Sequence, residues 1–358
     1  MENINQIKPR AAWLTVNRRC NFRCKWCYAE GTGYSSKKEM SYEFAKTLAI
    51  LLQQIGVNRL LLIGGEPTLW APLLRFNEFC VKEGLESILI TNGSSFGNER
   101  FWERYKQYPN TKIALSLKAS TPSQLREVAG VSNFRLIKRG IVRAITEIGA
   151  QVSITYNTFY IDNLVDMVQF AVDCGAASVK IDFCSVVFNH DRPDSTYMVP
   201  PDKLVKNILR DYPKLESLTN GHIVFEMMLP FCLWPLEFIQ ELKQKNQLLS
   251  VCHLLKRQGI IFDEEGNLIM CNALFDYPIA RYREDFDDGQ SLLTCLNTPK
   301  IRKLYDRMGC YPSVKCKDCD WYSECGGGCP LRWSVYKPEE LIRPIKKATR
   351  RKEVEDYA

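Results

Sequence analysis

The stretch CNFRCKWCYAEG, residues 20–31, follows a short apolar run, AAWLTV (11–16), and packs three cysteines into eight residues at spacing C-x3-C-x2-C, with Trp26 just before the third. A structural zinc site closes a tetrahedron with four ligands. Three thiols leave one coordination position open, and an open position is where a small molecule binds. Thiolates suit iron–sulfur clusters, and a four-iron cluster needs four ligand positions. Arg18, Arg19, Arg23 and Lys25 surround the trio. Positive charge there is expected to lower the thiol pKa values and to offset an anionic cluster. The competing reading is a zinc ion completed by a distant cysteine or histidine, in a chain with only three histidines.

Further apolar runs recur downstream: RLLLI (59–63), SILI (87–90), KIALSL (112–117), QVSITY (151–156) and SVKIDF (178–183). Most are apolar on both faces, as buried parallel strands are. Helical spacing fills the gaps at 42–56, 72–84, 134–149 and 162–175, and each segment ends in glycine, a common C-cap. Six strand–helix units predict a parallel α/β sheet with right-handed crossovers. Six is short of the eight that close a TIM barrel, so a partial, open (β/α)6 barrel is expected over 1–188. In such sheets chemistry sits at the carboxyl ends of the strands. The three cysteines follow the first strand, GGEPTL (64–69) the second and TNG (91–93) the third, while Ser116 and Lys118 end the fourth. All of these face one mouth.

Residues 189–201 are rich in proline and polar side chains and read as a linker, with 189–250 bridging to a cysteine-rich segment at 251–335 and a charged tail at 336–358. Fifteen cysteines in 358 residues, odd in number and clustered, with no signal peptide, argue against a disulfide framework. They read as reduced, cytoplasmic and partly metal-binding. No apolar run approaches a membrane span. The net charge of +7 is a modest one that fits a basic enzyme surface, and no nucleic-acid partner is expected.

GGEP adds a second requirement. Adjacent glycines let a ligand approach the backbone, Glu66 offers a carboxylate to a cationic amine, and Pro67 fixes the turn. Together with C-x3-C-x2-C and the aromatic before its last cysteine, this resembles the radical S-adenosylmethionine superfamily over roughly residues 10–185. The resemblance implies a 4Fe–4S cluster on Cys20, Cys24 and Cys27, whose open iron chelates S-adenosylmethionine. Gly64, Gly65 and Glu66 would contact the methionine amine, and Trp26 would lie near the adenine. Asn92 and Ser116 match positions that line the nucleoside. Reduction of the sulfonium would yield a 5′-deoxyadenosyl radical that removes hydrogen from a substrate.

The second group of cysteines runs C-x13-G-x4-C (Cys252, Gly266, Cys271) and C-x2-C-x5-C-x3-C (Cys316, Cys319, Cys325, Cys329), with glycines crowding ECGGGCP. By spacing alone zinc and iron are equally served. The whole pattern, with GNLIMC, resembles the SPASM domain, a C-terminal extension of radical S-adenosylmethionine enzymes that carries auxiliary 4Fe–4S clusters. The resemblance implies one auxiliary cluster on Cys252, Cys271 and Cys329 and a second on Cys316, Cys319 and Cys325. The SPASM pattern has a further cysteine beyond that block, and this chain has none after Cys329. Cys310 is the expected replacement in the second cluster, ahead of Cys295 and Cys232. A single auxiliary cluster is the alternative. Cys80, Cys174 and Cys184 read as small buried hydrophobes.

An auxiliary cluster gives a substrate radical somewhere to lose an electron, so the resemblance implies an oxidoreductase-like enzyme that modifies a ribosomally made peptide. The runner-up is a SPASM dehydrogenase or epimerase acting on a small molecule; a non-catalytic iron–sulfur or zinc protein is the reading from another class. With the cluster loop at residue 20, leader binding is expected from a separate leader-recognition protein or from the enzyme's own surface, with a flavodoxin or ferredoxin as reductant. Asp182, Glu226 and Asp276 are the available carboxylates for a base. Asn272 stands after Cys271, where sulfatase-maturing relatives carry an acid.

Overall fold

The computed structural model describes residues 6–29, 38–189, 191–250, 252–253 and 255–346. Residues 347–358 of the charged tail lie outside them. The first half is built as its apolar runs predict. β1 (Ala11–Asn17), β2 (Arg59–Gly64), β3 (Glu86–Thr91), β4 (Lys112–Ser116), β5 (Gln151–Tyr156) and β6 (Val179–Phe183) lie side by side and parallel. Between them run α1 (Tyr42–Gln54), α2 (Leu73–Lys82), α3 (Glu99–Tyr105), α4 (Pro122–Ala129), α5 (Phe134–Ile148) and α6 (Leu164–Asp173). The caps are local chemistry. The Ser41 hydroxyl accepts from the Phe44 amide to start α1, and Gly149, at φ 75°, closes α5 in the left-handed conformation.

The bridging stretch is woven into the same sheet. β7 (Val187–Asn189) and β8 (Arg192–Asp194) form a small antiparallel hairpin within the proline-rich segment. α7 (Pro201–Leu218) then leads to β9 (Ile223–Glu226), which pairs in parallel with β6 from Val179↔Ile223 onward. α8 (Leu236–Gln244) leads to β10 (Leu248–Leu249) beside β9. On the opposite edge, β11 (Gly259–Phe262) pairs in parallel with β1, Ala11 opposite Gly259. β12 (Leu268–Ile269) and β13 (Pro278–Ala280) continue antiparallel. The result is one eleven-stranded sheet in the order β10-β9-β6-β5-β4-β3-β2-β1-β11-β12-β13, whose two end strands do not pair with each other. Leu14 and Leu62 share a single core with Phe262 and Leu268, so the cysteine-rich region adheres through apolar burial as well as strand pairing.

A buried ion pair reinforces that junction. Arg18 Nε donates to Glu264 Oε2 at 2.8 Å, and the guanidinium lies 3.5 Å from the centre of the Phe275 ring. Among the described residues no helix is long and apolar enough to cross a membrane.

Candidate active site

A cavity of about 410 Å³ opens at the carboxyl ends of the strands, and Cys20, Cys24 and Cys27 line it. So do Trp26, Gly64, Gly65, Glu66, Asn92 and Ser116, which means that every residue singled out for the first site meets there. The cysteine loop is fastened to the turn after β2. Gly65 N donates to Asn17 O (2.9 Å), Glu66 N to Arg19 O (2.7 Å) and Asn17 Nδ2 to Glu66 O (3.0 Å). The two glycines are required by this contact. A Cβ on Gly64 would stand 2.3 Å from Asn17 O, and one on Gly65 2.4 Å from Arg19 O. Their smallness therefore serves the approach of the cysteine loop itself, a different use from the ligand approach expected of GGEP.

Glu66 also differs from expectation. It is 1% exposed, and its carboxylate is already occupied. Oε1 accepts from Thr68 N (3.0 Å), Thr68 Oγ1 (2.6 Å) and Thr91 Oγ1 (2.6 Å), while Oε2 accepts from Asn92 N (2.8 Å). Burial raises its pKa, against those hydrogen bonds. The side chain ties the β2 turn to the end of β3, which leaves it poorly placed to hold an amine.

Asn92 Nδ2 reaches Asn21 Oδ1 (3.0 Å), a second tie to the cysteine loop. Lys118 Nζ donates to Ser116 Oγ (2.6 Å) and lies 5.7 Å from the centre of the Trp26 ring. Tyr160 packs edge-on against that indole at 5.3 Å, so the ring's orientation is fixed. The basic loop does not lower the Cys20 thiol as expected. Burial pushes Cys20 up to about 12, with Glu66, Cys24 and Cys27 adding to it, and only the Phe22 amide draws it down. Arg23 spends Nη1 on the carbonyls of Cys20 and Phe22, both at 2.7 Å.

The opposite wall belongs to the second group of cysteines. Cys271 and Asn272 line the same cavity, together with Cys184 and Ser185 from the end of β6. Burial raises the Cys271 thiol to about 12, and the neighbouring Cys329 and Cys252 add to the rise. Ser185 Oγ lies 3.4 Å from Cys329 Sγ. Asn272 Oδ1 is buried without a hydrogen-bond partner. Beside Cys329 and Cys184 sits Arg332, 0% exposed, whose Nε and Nη2 have no partner. Nothing in the spacing of the cysteines pointed to Arg332, although a basic residue three positions after a cysteine-glycine loop is a usable signal.

Cys316, Cys319 and Cys325 line a separate closed pocket, and the fourth cysteine in it is Cys232. Cys310, the expected partner, is exposed and its thiol donates to Arg307 O at 3.0 Å. Cys295 is buried near α9 (Gly289–Leu296), which contains it, and does not line this pocket. Cys80 and Cys174 are buried in the apolar core, and so is Cys184, which additionally faces the cavity. No disulfide joins any of the fifteen cysteines. Among the described residues, no three His, Cys, Asp or Glu side chains draw together as the ligands of a single ion do.

Two of the three candidate carboxylates are engaged elsewhere. Lys180 Nζ bridges Asp182 (2.8 Å) and Glu226 (2.7 Å), and neither acid lines the cavity. Asp276 is exposed.

Three thiols on one wall of a cavity suit an iron–sulfur cluster with an open position. A fully buried guanidinium with two unpartnered nitrogens, beside Cys329 and Cys184, suits an anionic group there, because a buried cation without a counter-charge is costly.

Comparison with known proteins agrees. Residues 14–173 match the profile of the Radical SAM superfamily. A GTP 3′,8-cyclase of Mannheimia succiniciproducens is 31% identical over 157 residues, 43% of this chain and 45% of that protein. A probable GTP 3′,8-cyclase of Thermococcus kodakarensis is 25% identical over 167 residues, 45% of this chain and 53% of that one. The chain thus spans about half the length of these curated relatives. SuiB of Streptococcus suis, solved with S-adenosylmethionine, superposes with a TM-score of 0.68 at 18% identity, over 94% of this chain and 77% of that one. The enzyme anSMEcpe with bound AdoMet gives 0.66 at 15% identity, over 89% of each chain. These likenesses show a shared fold that extends through the C-terminal cysteine-rich region.

Proposed function

We propose that this chain, whose residues 14–173 match the Radical SAM superfamily, oxidatively modifies a ribosomally made peptide, using S-adenosylmethionine and 4Fe–4S clusters. In this reading residues 1–188 form the radical core and 251–335 a SPASM-like domain. Cys20, Cys24 and Cys27 hold the cluster at the S-adenosylmethionine site, and Cys252, Cys271 and Cys329 hold an auxiliary cluster. When bound, the first cluster and S-adenosylmethionine supply a 5′-deoxyadenosyl radical that takes a hydrogen atom from the substrate.

The chain's own groups do the placing. The Gly64–Gly65 turn, held rigid by Glu66, would meet the amine of S-adenosylmethionine. Trp26 offers a fixed ring face near the adenine. Asn92 and Ser116 border the nucleoside, and Lys118 is free to turn a donor from Ser116 toward it. The apolar walls from Ile63, Ile90 and Val186 keep water from the reacting carbon.

The single observation that carries the oxidative reading is that Cys271 opens on the cavity of the first three cysteines. An electron acceptor held there stands beside the substrate, which favours two-electron oxidation over epimerisation. The peptide substrate is supported by SuiB bound to its precursor peptide SuiA, whose chain shares this fold with a TM-score of 0.69 at 16% identity. The GTP 3′,8-cyclase relatives align over about half of their own length and carry the core, not the substrate. A flavodoxin or ferredoxin would deliver electrons.

Anaerobic reconstitution with iron, sulfide, dithionite and S-adenosylmethionine is expected to yield 5′-deoxyadenosine, and Cys20→Ala/Cys24→Ala/Cys27→Ala to yield none. With peptides encoded beside its gene, the product is expected to lack two hydrogen atoms by mass spectrometry. An iron-loaded protein that makes no 5′-deoxyadenosine, or a triple variant that still does, overturns the reading.

A further inference from the structure

The geometry points to Cys232, a residue outside the C-x2-C-x5-C-x3-C block, as the fourth thiolate of a second auxiliary 4Fe–4S cluster held by Cys316, Cys319 and Cys325. This deepens the auxiliary-cluster part of the proposed function and rests on it for the kind of metal.

Four observations converge on this pocket. All four thiols line it, although Cys232 lies more than eighty residues before the others in sequence. Three of the sulfurs already accept backbone N–H groups: Phe231 N to Cys325 Sγ (3.3 Å), Arg343 N to Cys232 Sγ (3.4 Å) and Ile345 N to Cys319 Sγ (3.4 Å). Amides aimed at sulfur stabilise thiolates and tune the clusters they bind. The remaining lining is mostly apolar, from Phe231, Ile342 and Ile345 among others, with Tyr322 and Arg343 beside them. Trp321 completes it, and its buried indole N–H has no hydrogen-bond partner. A cluster sulfide would give that donor an acceptor.

The arrangement also accounts for the missing last cysteine of the SPASM pattern. The segment after Cys329 does return to the pocket, but residues 342–345 bring amides and aliphatic side chains. The thiolate comes instead from Cys232, in the short turn Phe231–Leu233 just before α8. Cluster and single ion are separated by spacing. Zinc bonds of about 2.3 Å would draw sulfurs to about 3.8 Å from one another. A four-iron cube takes each thiolate on a different iron and sets them further apart.

The test reads metal rather than turnover, so failure of the substrate reading leaves it intact. Wild type, Cys232→Ala and Cys310→Ala are reconstituted anaerobically, and iron, acid-labile sulfide, zinc and low-temperature EPR are measured. Cys232→Ala is expected to lose about four irons and four sulfides per chain or to convert one signal to a three-iron type. Cys310→Ala is expected to match wild type. Signals from the Cys20 cluster, retained in both, report that the chain is folded. Should Cys232→Ala fail to fold, alkylation of iron-loaded wild type serves instead: Cys232 is expected to be protected until the clusters are stripped, and Cys310 to react throughout. Wild-type iron and spectra in Cys232→Ala, loss of a cluster in Cys310→Ala, stoichiometric zinc in place of iron, or alkylation of Cys232 at the rate of Cys310 each overturns the assignment.

Discussion

Gly65→Ala probes the contact on which the whole site is hung. The added Cβ would lie 2.4 Å from Arg19 O, 2.5 Å from Arg19 C and 2.7 Å from Arg18 O, all of them backbone atoms that cannot swing aside. Restoring an ordinary contact near 3.4 Å requires the cysteine loop and the β2 turn to part by roughly 1 Å. Two hydrogen bonds cross at the same place, Gly65 N to Asn17 O at 2.9 Å and Glu66 N to Arg19 O at 2.7 Å. Lengthened by that amount, both leave the hydrogen-bonding range. Two buried backbone bonds lost, with donors stranded, cost about 2–4 kcal/mol. Unfolding entropy of about 2.1 cal/mol/K per residue makes each kcal/mol worth about 1.3 °C in a chain of this size, so the melting temperature should fall by about 3–5 °C. Displacing the loop by such a distance should also cut 5′-deoxyadenosine formation by about 100-fold. The assay is thermal unfolding of the cluster-free chain and single-turnover 5′-deoxyadenosine formation by the loaded one. Gly309→Ala is the control, because its nearest neighbour, Tyr305 O, stands at 3.3 Å and its φ is ordinary. If Gly65→Ala behaves like Gly309→Ala in both measurements, the interlocking of loop and turn is not what the glycines are for.

Two further outcomes test the electrostatics. Burial raises the Glu66 carboxyl above its ordinary 4.5, so the folded chain holds that proton more tightly than the unfolded one. Its contribution to stability is then fully present below pH 4.5 and is lost as pH rises through the folded value, and Glu66→Gln should flatten that stretch of the midpoint-against-pH curve in urea. An unaltered curve would assign the titration to another group. Arg332→Met removes a buried cation with two unpartnered nitrogens, and should raise the melting temperature of the cluster-free chain by about 1–4 °C. In the iron-loaded chain the same change should reduce the iron retained, since the counter-charge beside Cys329 is gone; a loss of stability in both forms would refute that role.

How much of this was legible in the sequence follows from the range of the interactions. The helix ended by Gly149 and the apolar-on-both-faces strands are local or nearly so, and six strand–helix units come out in order. The first site was legible because each of its residues sits at the end of its own strand, and the topology gathers strand ends without further information. Glu66 shows the limit. Its charge is visible in GGEP, but the Thr91 and Asn92 donors that occupy it come from the next strand, so amine contact and clamp look alike in sequence. Cys310 was favoured over Cys232 because it lies six residues from Cys316. The turn at Gly309 sends that thiol to the Arg307 carbonyl, whereas the short turn before α8 delivers Cys232 to the pocket from across the fold. Nearness along the chain is a poor guide when the loop between has its own hydrogen bonds to make.

The strand β1 explains why thiols from opposite ends of the chain meet. It pairs with β2 on one side and β11 on the other, both in parallel, so the loop that leaves its carboxyl end is flanked by the turn after β2 and the hairpin after β11. The first neighbour fixes the Cys20 loop through Gly65, and the second through Arg18 and Glu264. β12 then returns from that hairpin, and Cys271, two residues past its end, lines the same cavity. Removing the C-terminal region would therefore bare the edge of β1 and strand Arg18 without its carboxylate, a loss of about 3–5 kcal/mol for a buried pair. The cysteine-rich region is thus a wall of the site, and the distance between its thiols and the first three is set by one strand register, Ala11 opposite Gly259, rather than by a hinge.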